Sequence, residues 1–338
     1  MLATSKRPQA PDLAAWTYPS GLVSALEGRL LPQRATLDLL QAGSLDEVVT
    51  RVRQTLVGDD LPEATTPFEM AEAVQESLVS AVSDVAAASP TPALANLLLL
   101  PIEWEAFRAA LRAHTTGTEP VAIAGSRIPA AIWEQCWETS DVEEPYGLFA
   151  AAAAAIREAM PREKRDHRLI DGITHAYEAQ HLNRTVEQVG SETVAGWFRR
   201  RLQWRLAMSL VRCRINSWGH IRYAQALEHL GESKQDLLTL VEPERHDWRP
   251  PFIALGLAAV QDLDPGDPAA PIALERLIDD ATTDLVQGGR GIPYGPEPVA
   301  AFLWALRTEA LNLKLVLTGL AAGLPADAVA QDIRRTYV

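Results

Sequence analysis

The chain has 338 residues, 47% of them hydrophobic, which is enough for one large domain or two to three small ones. With 31 basic against 44 acidic side chains, a formal charge of −13, it lacks the basic footprint of a general nucleic-acid binder. Two cysteines, Cys136 and Cys213, are too few for a disulfide scaffold and read as free thiols in a reducing cytoplasm.

The opening stretch, MLATSKRPQAPD, has no apolar core, so it reads as a disordered tail over residues 1–15 and not as a signal peptide. From Trp16 to Gly58 the pattern is helical. Ser44-Leu45-Asp46-Glu47 is a capping box that predicts a helix from Leu45 to about Leu56, stopping at Gly58. Thr66-Pro67-Phe68-Glu69 combines an N-cap, a proline at the first helical position and Glu at the third, and predicts a helix to about Ala88. Pro90 and Pro92 break it. The next helix begins near Asn96, is kinked or interrupted at Pro101, and carries Glu103, Trp104, Phe107, Arg108, Leu111 and Arg112 to Gly117. Thr118–Pro129 reads as a linker. A short helix over Ile132–Thr139 bears Trp133, Cys136 and Trp137; alanine-rich Leu148–Met160 and Leu169–Val189 follow as helices.

Trp197–Trp218 has the most unusual composition. Two apolar stripes enclose Arg201, Arg205 and Arg212, and from Thr193 to Leu227 seven arginines appear without one acid. These arginines either pair within the molecule, with Glu103, Glu309 and other acids, or line a socket for an acidic partner. Short helices are expected over Tyr223–Leu230 and Gln235–Val241, with Pro250-Pro251 separating them from Phe252–Val260. Asp264–Pro268 is a surface loop and Ile272–Val286 a helix. Gln287–Pro298 is Gly/Pro-rich and leads into Pro298–Val338, a long helix, a Gly323-Leu324-Pro325 corner and a short closing helix. On that long helix Phe302, Leu306, Leu313, Leu317 and Leu320 form one stripe, while Trp304, Leu311 and Leu315 lie opposite. A helix apolar on two faces sits between other helices. Glu309 falls inside the first stripe, so its carboxylate must find a donor or stay protonated. No run of alternating β-branched residues is long enough for a sheet, and the fold class is all-α. The longest apolar runs, Gly147–Ile156 and Phe252–Val260, fall short of the roughly 18 to 20 residues of a membrane span.

Three helices share a skeleton: Glu103, Phe107, Arg108, Leu111, Arg112; Gln203, Ala207, Met208, Leu210, Arg212; Glu309, Leu313, Lys314, Leu317. They recur roughly every hundred residues, each followed by a glycine expected to stop the helix, Gly117, Gly219 and Gly319. The order Trp304, Glu309, Asn312, Lys314, Gly319, Gly323-Leu324-Pro325 and Tyr337-Val338 resembles the end of the C-type subunit family of V-type/A-type rotary ATPases, called d in eukaryotic vacuolar enzymes. Arg29-Leu30-Leu31 followed by Ser44–Glu47 resembles the family's opening helices. The resemblance departs at Ala106 and Leu206, where the family has Asn, and at Gln203, where it has an acid.

That resemblance implies three similar helical units arranged as a funnel with pseudo-threefold symmetry, over residues 16–117, 118–219 and 220–338. It implies a non-catalytic rotor adaptor, without cofactor, metal or active site. Such an adaptor receives the D and F subunits of the central stalk and sits on the cytoplasmic face of the membrane proteolipid ring, peripherally attached through the complex. Glu103, Arg108, Arg112, Arg201, Arg205, Arg212, Glu309, Asn312 and Lys314 are then the polar candidates for interface or structural roles, with Glu309 expected to meet Arg201, Arg205 or Arg212. Two alternatives stand beside it: a helical scaffold unrelated to rotary motors, and Mg²⁺-dependent prenyl-diphosphate chemistry at Asp279, Asp280 and Asp284, which resemble a terpene-synthase motif but lack a second acidic cluster. The seven histidines show no metal spacing, and Gln287–Gly295 lacks the Lys-Ser/Thr of a phosphate loop.

Overall fold

The computed structural model describes residues 12–42, 44–58, 61, 66–159, 167–215 and 247–338. Where capping signals are strong, they set the helix starts. Thr66 Oγ1 accepts from the Glu69 N–H at 3.2 Å while Glu69 accepts from the Thr66 N–H at 2.9 Å, and the helix runs Pro67–Ala88 as its sequence predicts. Ser44 Oγ accepts from the Glu47 N–H, and the Glu47 carboxylate goes one turn on to Arg51.

In chain order the helices are α1 (Thr17–Glu27), α2 (Gln33–Leu39), α3 (Leu45–Val52), α4 (Pro67–Ala88), α5 (Ala93–Thr116), α6 (Ala130–Glu138), α7 (Gly147–Ala159), α8 (His167–Gln188), α9 (Glu192–Ile215), α10 (Arg249–Ala254), α11 (Ala270–Val286), α12 (Pro296–Ala321) and α13 (Ala326–Ala330). Single 3-10 turns fall at Leu13–Trp16, Leu56–Gly58, Ala258–Asp262 and Gln287–Gly291. Among the described residues there is no strand, so the fold is all-α. No described helix is long and apolar enough to cross a membrane.

Several boundaries differ from expectation for visible reasons. The Leu45 helix ends at Val52, and the chain then folds back on its last turn: a Cβ on Gly58 would stand 1.8 Å from the Val52 carbonyl oxygen. Pro101 lies inside a continuous α5. Pro250-Pro251, expected as a break, form the first turn of α10, where missing N–H groups cost nothing. Gly117 does stop α5, at φ +71°. Gly319 does not stop α12: that helix ends at Gly323, φ +64°, where the Leu324 N–H bonds to the Gly319 carbonyl and the Gly323 N–H to the Leu320 carbonyl. The 3-10 turn at Leu13 begins inside the stretch expected as tail. Residues 1–11, the helices expected at 223–230 and 235–241, Gly219, Arg222 and Trp218 lie outside the described residues.

The chain divides into two compact units that are interleaved along the sequence. One contains residues 1–98, 184–200 and 279–338; the other contains 99–183 and 201–278. The core of the first is α12, packed against α4, α1, α2, α13 and the Gln287–Gly291 turn. From Val299 to Ala310 every residue but Arg307 is buried, which fulfils the two-faced apolar pattern of the sequence. The core of the second is an aromatic cluster of Trp104 and Phe107 from α5, Trp133 from α6 and Phe149 from α7. Its tightest pair, Trp104–Phe149, has ring centroids 4.3 Å apart.

Candidate functional site

Two groups of buried polar residues stand out, one in each unit. In the first unit, α12 carries three of the sequence candidates. Glu309, 2% exposed, accepts at Oε2 from the Leu31 N–H, 2.5 Å away, while its Oε1 is buried without a hydrogen-bond partner. Burial pushes its carboxyl up to about 7, against the pull of the Leu31 N–H, Thr55 and Arg29. Both outcomes open to a carboxylate in an apolar stripe therefore meet here: it finds a donor and it is held near neutrality. The cation acting on it is Arg29, which corrects the expectation of Arg201, Arg205 or Arg212. Those arginines lie on α9 beyond Arg200, in the other unit.

Three residues on, Asn312 is fully buried and spans the closing segment. Its Nδ2 donates to the Arg334 carbonyl at 2.9 Å and its Oδ1 accepts from the Arg334 N–H at 2.8 Å. Lys314 donates to Gln75 on α4 at 2.9 Å. The segment after α13 is stitched down at further points. The Arg335 N–H reaches Asp280, and its guanidinium reaches Asp284. Thr283 donates to the Arg335 carbonyl and accepts from the Trp304 indole N–H at 3.0 Å. Tyr337, 6% exposed, donates its hydroxyl to Glu27 at 2.8 Å, and Arg290 stands over its ring while donating to its carbonyl. Asp279 lies 3.5 Å from Arg307 and 3.6 Å from Arg334. All three acids of the prenyl-diphosphate motif are thus taken up by the arginines or backbone of the closing segment and α12, which corrects that alternative.

In the second unit Glu103 of α5, 1% exposed, accepts from Ser126 Oγ at 2.8 Å and from the backbone N–H and Nε of Arg127, each at 3.0 Å. Glu103 and Glu309 thus do the same thing. Each buries a carboxylate on a core helix and takes a backbone N–H from a segment that passes through a proline, Pro129 or Pro32, into a short helix, α6 or α2. Gln203, the third member of the sequence series, is exposed on α9.

Arg108 donates to Glu178 of α8 at 2.8 Å, the acid being 5% exposed. Burial works to raise the Glu178 carboxyl, but Arg108 and Arg205 together hold it below the usual range. His175, one turn earlier, is pushed by burial and then by Arg108 down to about 3, so it stays neutral. Arg112 pairs with Asp171 and Arg212 with Glu275 at 2.7 Å; Arg201 is buried and Arg199 pairs with Glu192. The arginine-rich helix therefore finds acids within the molecule at several of its positions, the first of the two readings its sequence allows. Sequence reasoning passed over Glu178, His175, Glu27 and Arg290. None sits in a motif that marks it. Cys136 is a buried thiol that burial raises to about 11. Among the described residues no group of His, Cys, Asp and Glu could hold a metal ion.

A family model for the ATP synthase (C/AC39) subunit matches residues 19–331. No curated protein matches the chain.

Proposed function

The chain belongs to the ATP synthase (C/AC39) subunit family, a non-catalytic part of V/A-type ATPases, and on that premise we propose that it joins the central stalk to the membrane proteolipid ring. In this reading it grips the D and F subunits of the stalk on one side and the cytoplasmic face of the ring on the other. It passes torque between ATP hydrolysis or synthesis and ion movement, and is attached to the membrane only through the complex. Such a part needs stiffness and no reaction of its own. The observation that carries the reading is α12, buried along Val299–Ala310 except at Arg307 and tied through Asn312 to the segment that follows it. A close-packed rod fixed at its polar positions resists bending because bending would open voids, overlap neighbours and break those bonds.

The threefold funnel, with units over 16–117, 118–219 and 220–338, is part of the same proposal. What supports it is the matching use of Glu103 and Glu309, each fixing a proline-led turn. Gln203 does not repeat the pattern.

Co-purification of the intact chain with the D–F pair and with detergent-solubilised ring tests the reading. A ternary complex is expected. Binding to neither would remove it.

A further inference from the structure

The linker between α5 and α6 does more than connect them. It closes one wall of a cavity of about 450 Å³ in the second unit, within the size range of binding pockets. The floor is Ala106 and Ala110 of α5, small enough to leave a recess; the far wall is Trp133 and Trp137 of α6; Val121 and Ile123 come from the linker. The linker wall is fixed by the bonds of Ser126 and Arg127 to buried Glu103. Trp137 is fixed by His114, with ring centroids 4.7 Å apart, and by Arg157, whose guanidinium stands over the indole and donates to the Trp137 carbonyl. The cavity opens to solvent at the linker, where lining residue Val121 is 75% exposed.

Acidic side chains stand at the rim. Glu134 lines the cavity, Glu119 lies between lining residues Thr118 and Pro120, and Glu138 follows Glu134 by one helical turn. All three are exposed, and none forms an ion pair among the described residues. Of the nearby cations, Arg127 is paired with Glu103 and Arg112 with Asp171, while Arg157 is held against the Trp137 ring and carbonyl.

We propose that this cavity is a docking site for a basic amphipathic helix of a partner protein, whose apolar side chains enter between Ala110, Trp133 and Trp137 while its lysines or arginines meet Glu119, Glu134 and Glu138. Trp133 and Trp137 stand one turn apart on α6, so anchors one turn apart on a partner helix can meet both while its flanks stay in water. The acidic rim selects the sign of those flanks and speeds encounter. An apolar side chain as exposed as Val121 at the mouth offers a further contact to a segment longer than a small molecule. The proposal does not depend on which proteins of the complex the chain joins.

The test uses the full chain and a fluorescein-labelled helical peptide of leucine and lysine at amphipathic spacing, followed by fluorescence anisotropy. Saturable binding is expected, weakening as salt rises, with no binding of the leucine–glutamate counterpart. Glu134→Lys with Glu138→Lys, both exposed positions, should weaken binding at least about tenfold. Ala110→Trp should fill the recess and abolish binding, while Glu72→Lys, on α4, should leave it unchanged. Circular dichroism confirms that each variant is folded. No binding, or equal binding to the charge-reversed and wild-type proteins, overturns the proposal. So does an outcome in which anilinonaphthalene sulfonate enters the cavity, is shut out by Ala110→Trp, and the basic peptide fails to bind, since that marks a small-molecule pocket.

Discussion

At the scale of single residues, Glu309 and His175, both buried and both shifted in ionisation, act on stability in opposite directions. Glu309 is raised to about 7 from an ordinary value of 4.5. Between those values the folded chain holds a proton that the unfolded chain has released. Its contribution is therefore complete below the lower value and lost as pH rises through 7. Glu309→Gln keeps an oxygen for the Leu31 N–H and removes the charge. Urea titrations should show it gaining on wild type by up to about 3 kcal/mol between about pH 5 and pH 8. A pH-independent difference would mean the carboxylate is solvated. His175 is depressed to about 3 from 6.5, so its neutral form favours folding fully above the higher value and the gain is lost as pH falls toward the lower. His175→Gln should flatten the acid limb, narrowing the gap to wild type by about 2 kcal/mol between about pH 7 and pH 5. An unchanged limb would contradict the buried, neutral imidazole.

At the scale of elements, the close of the molecule depends on one tight contact and one amide. A Cβ on Gly319 would stand 2.5 Å from Val329 Cγ2, so α13 lies against α12 only because residue 319 has no side chain. Gly319→Ala should cost about 1–3 kcal/mol, and Val329→Ala in the same chain should recover part of it; a double-mutant cycle in thermal unfolding reads the coupling. Asn312→Ala strands both backbone groups of Arg334 and should cost about 2–4 kcal/mol, with faster amide exchange over residues 332–337. These elements show what the sequence made legible. The capping box at Thr66, the two apolar faces of α12 and the polarity conflict at Glu309 follow from local spacing, and all appear in the structure. The partner of Glu309 was not legible: it is a backbone N–H at Leu31, and a main-chain donor carries no residue type to search for. For the same reason Gly319 read as a helix stop, since a glycine kept for a neighbour's approach looks identical in sequence to one kept for its φ. The candidates on α5 and α9 were found by charge and spacing, but their partners, Glu178, Asp171 and Glu275, sit on helices distant in sequence.

At the scale of the whole molecule, the family was written in a few positions near the end of the chain, and each has a structural use. Asn312 holds Arg334, Tyr337 reaches Glu27, and Gly323 ends α12. The chain separates into two interleaved units, so chain order alone does not reveal how helices group. The role proposed for this protein is to couple without catalysing. The most direct test is ATP-driven ion uptake into liposomes by the complex assembled with and without this chain, with ATP hydrolysis followed in the same vesicles. The account predicts that omitting the chain leaves hydrolysis running and abolishes uptake, and that adding it back restores uptake. Uptake that proceeds undiminished without the chain would contradict it.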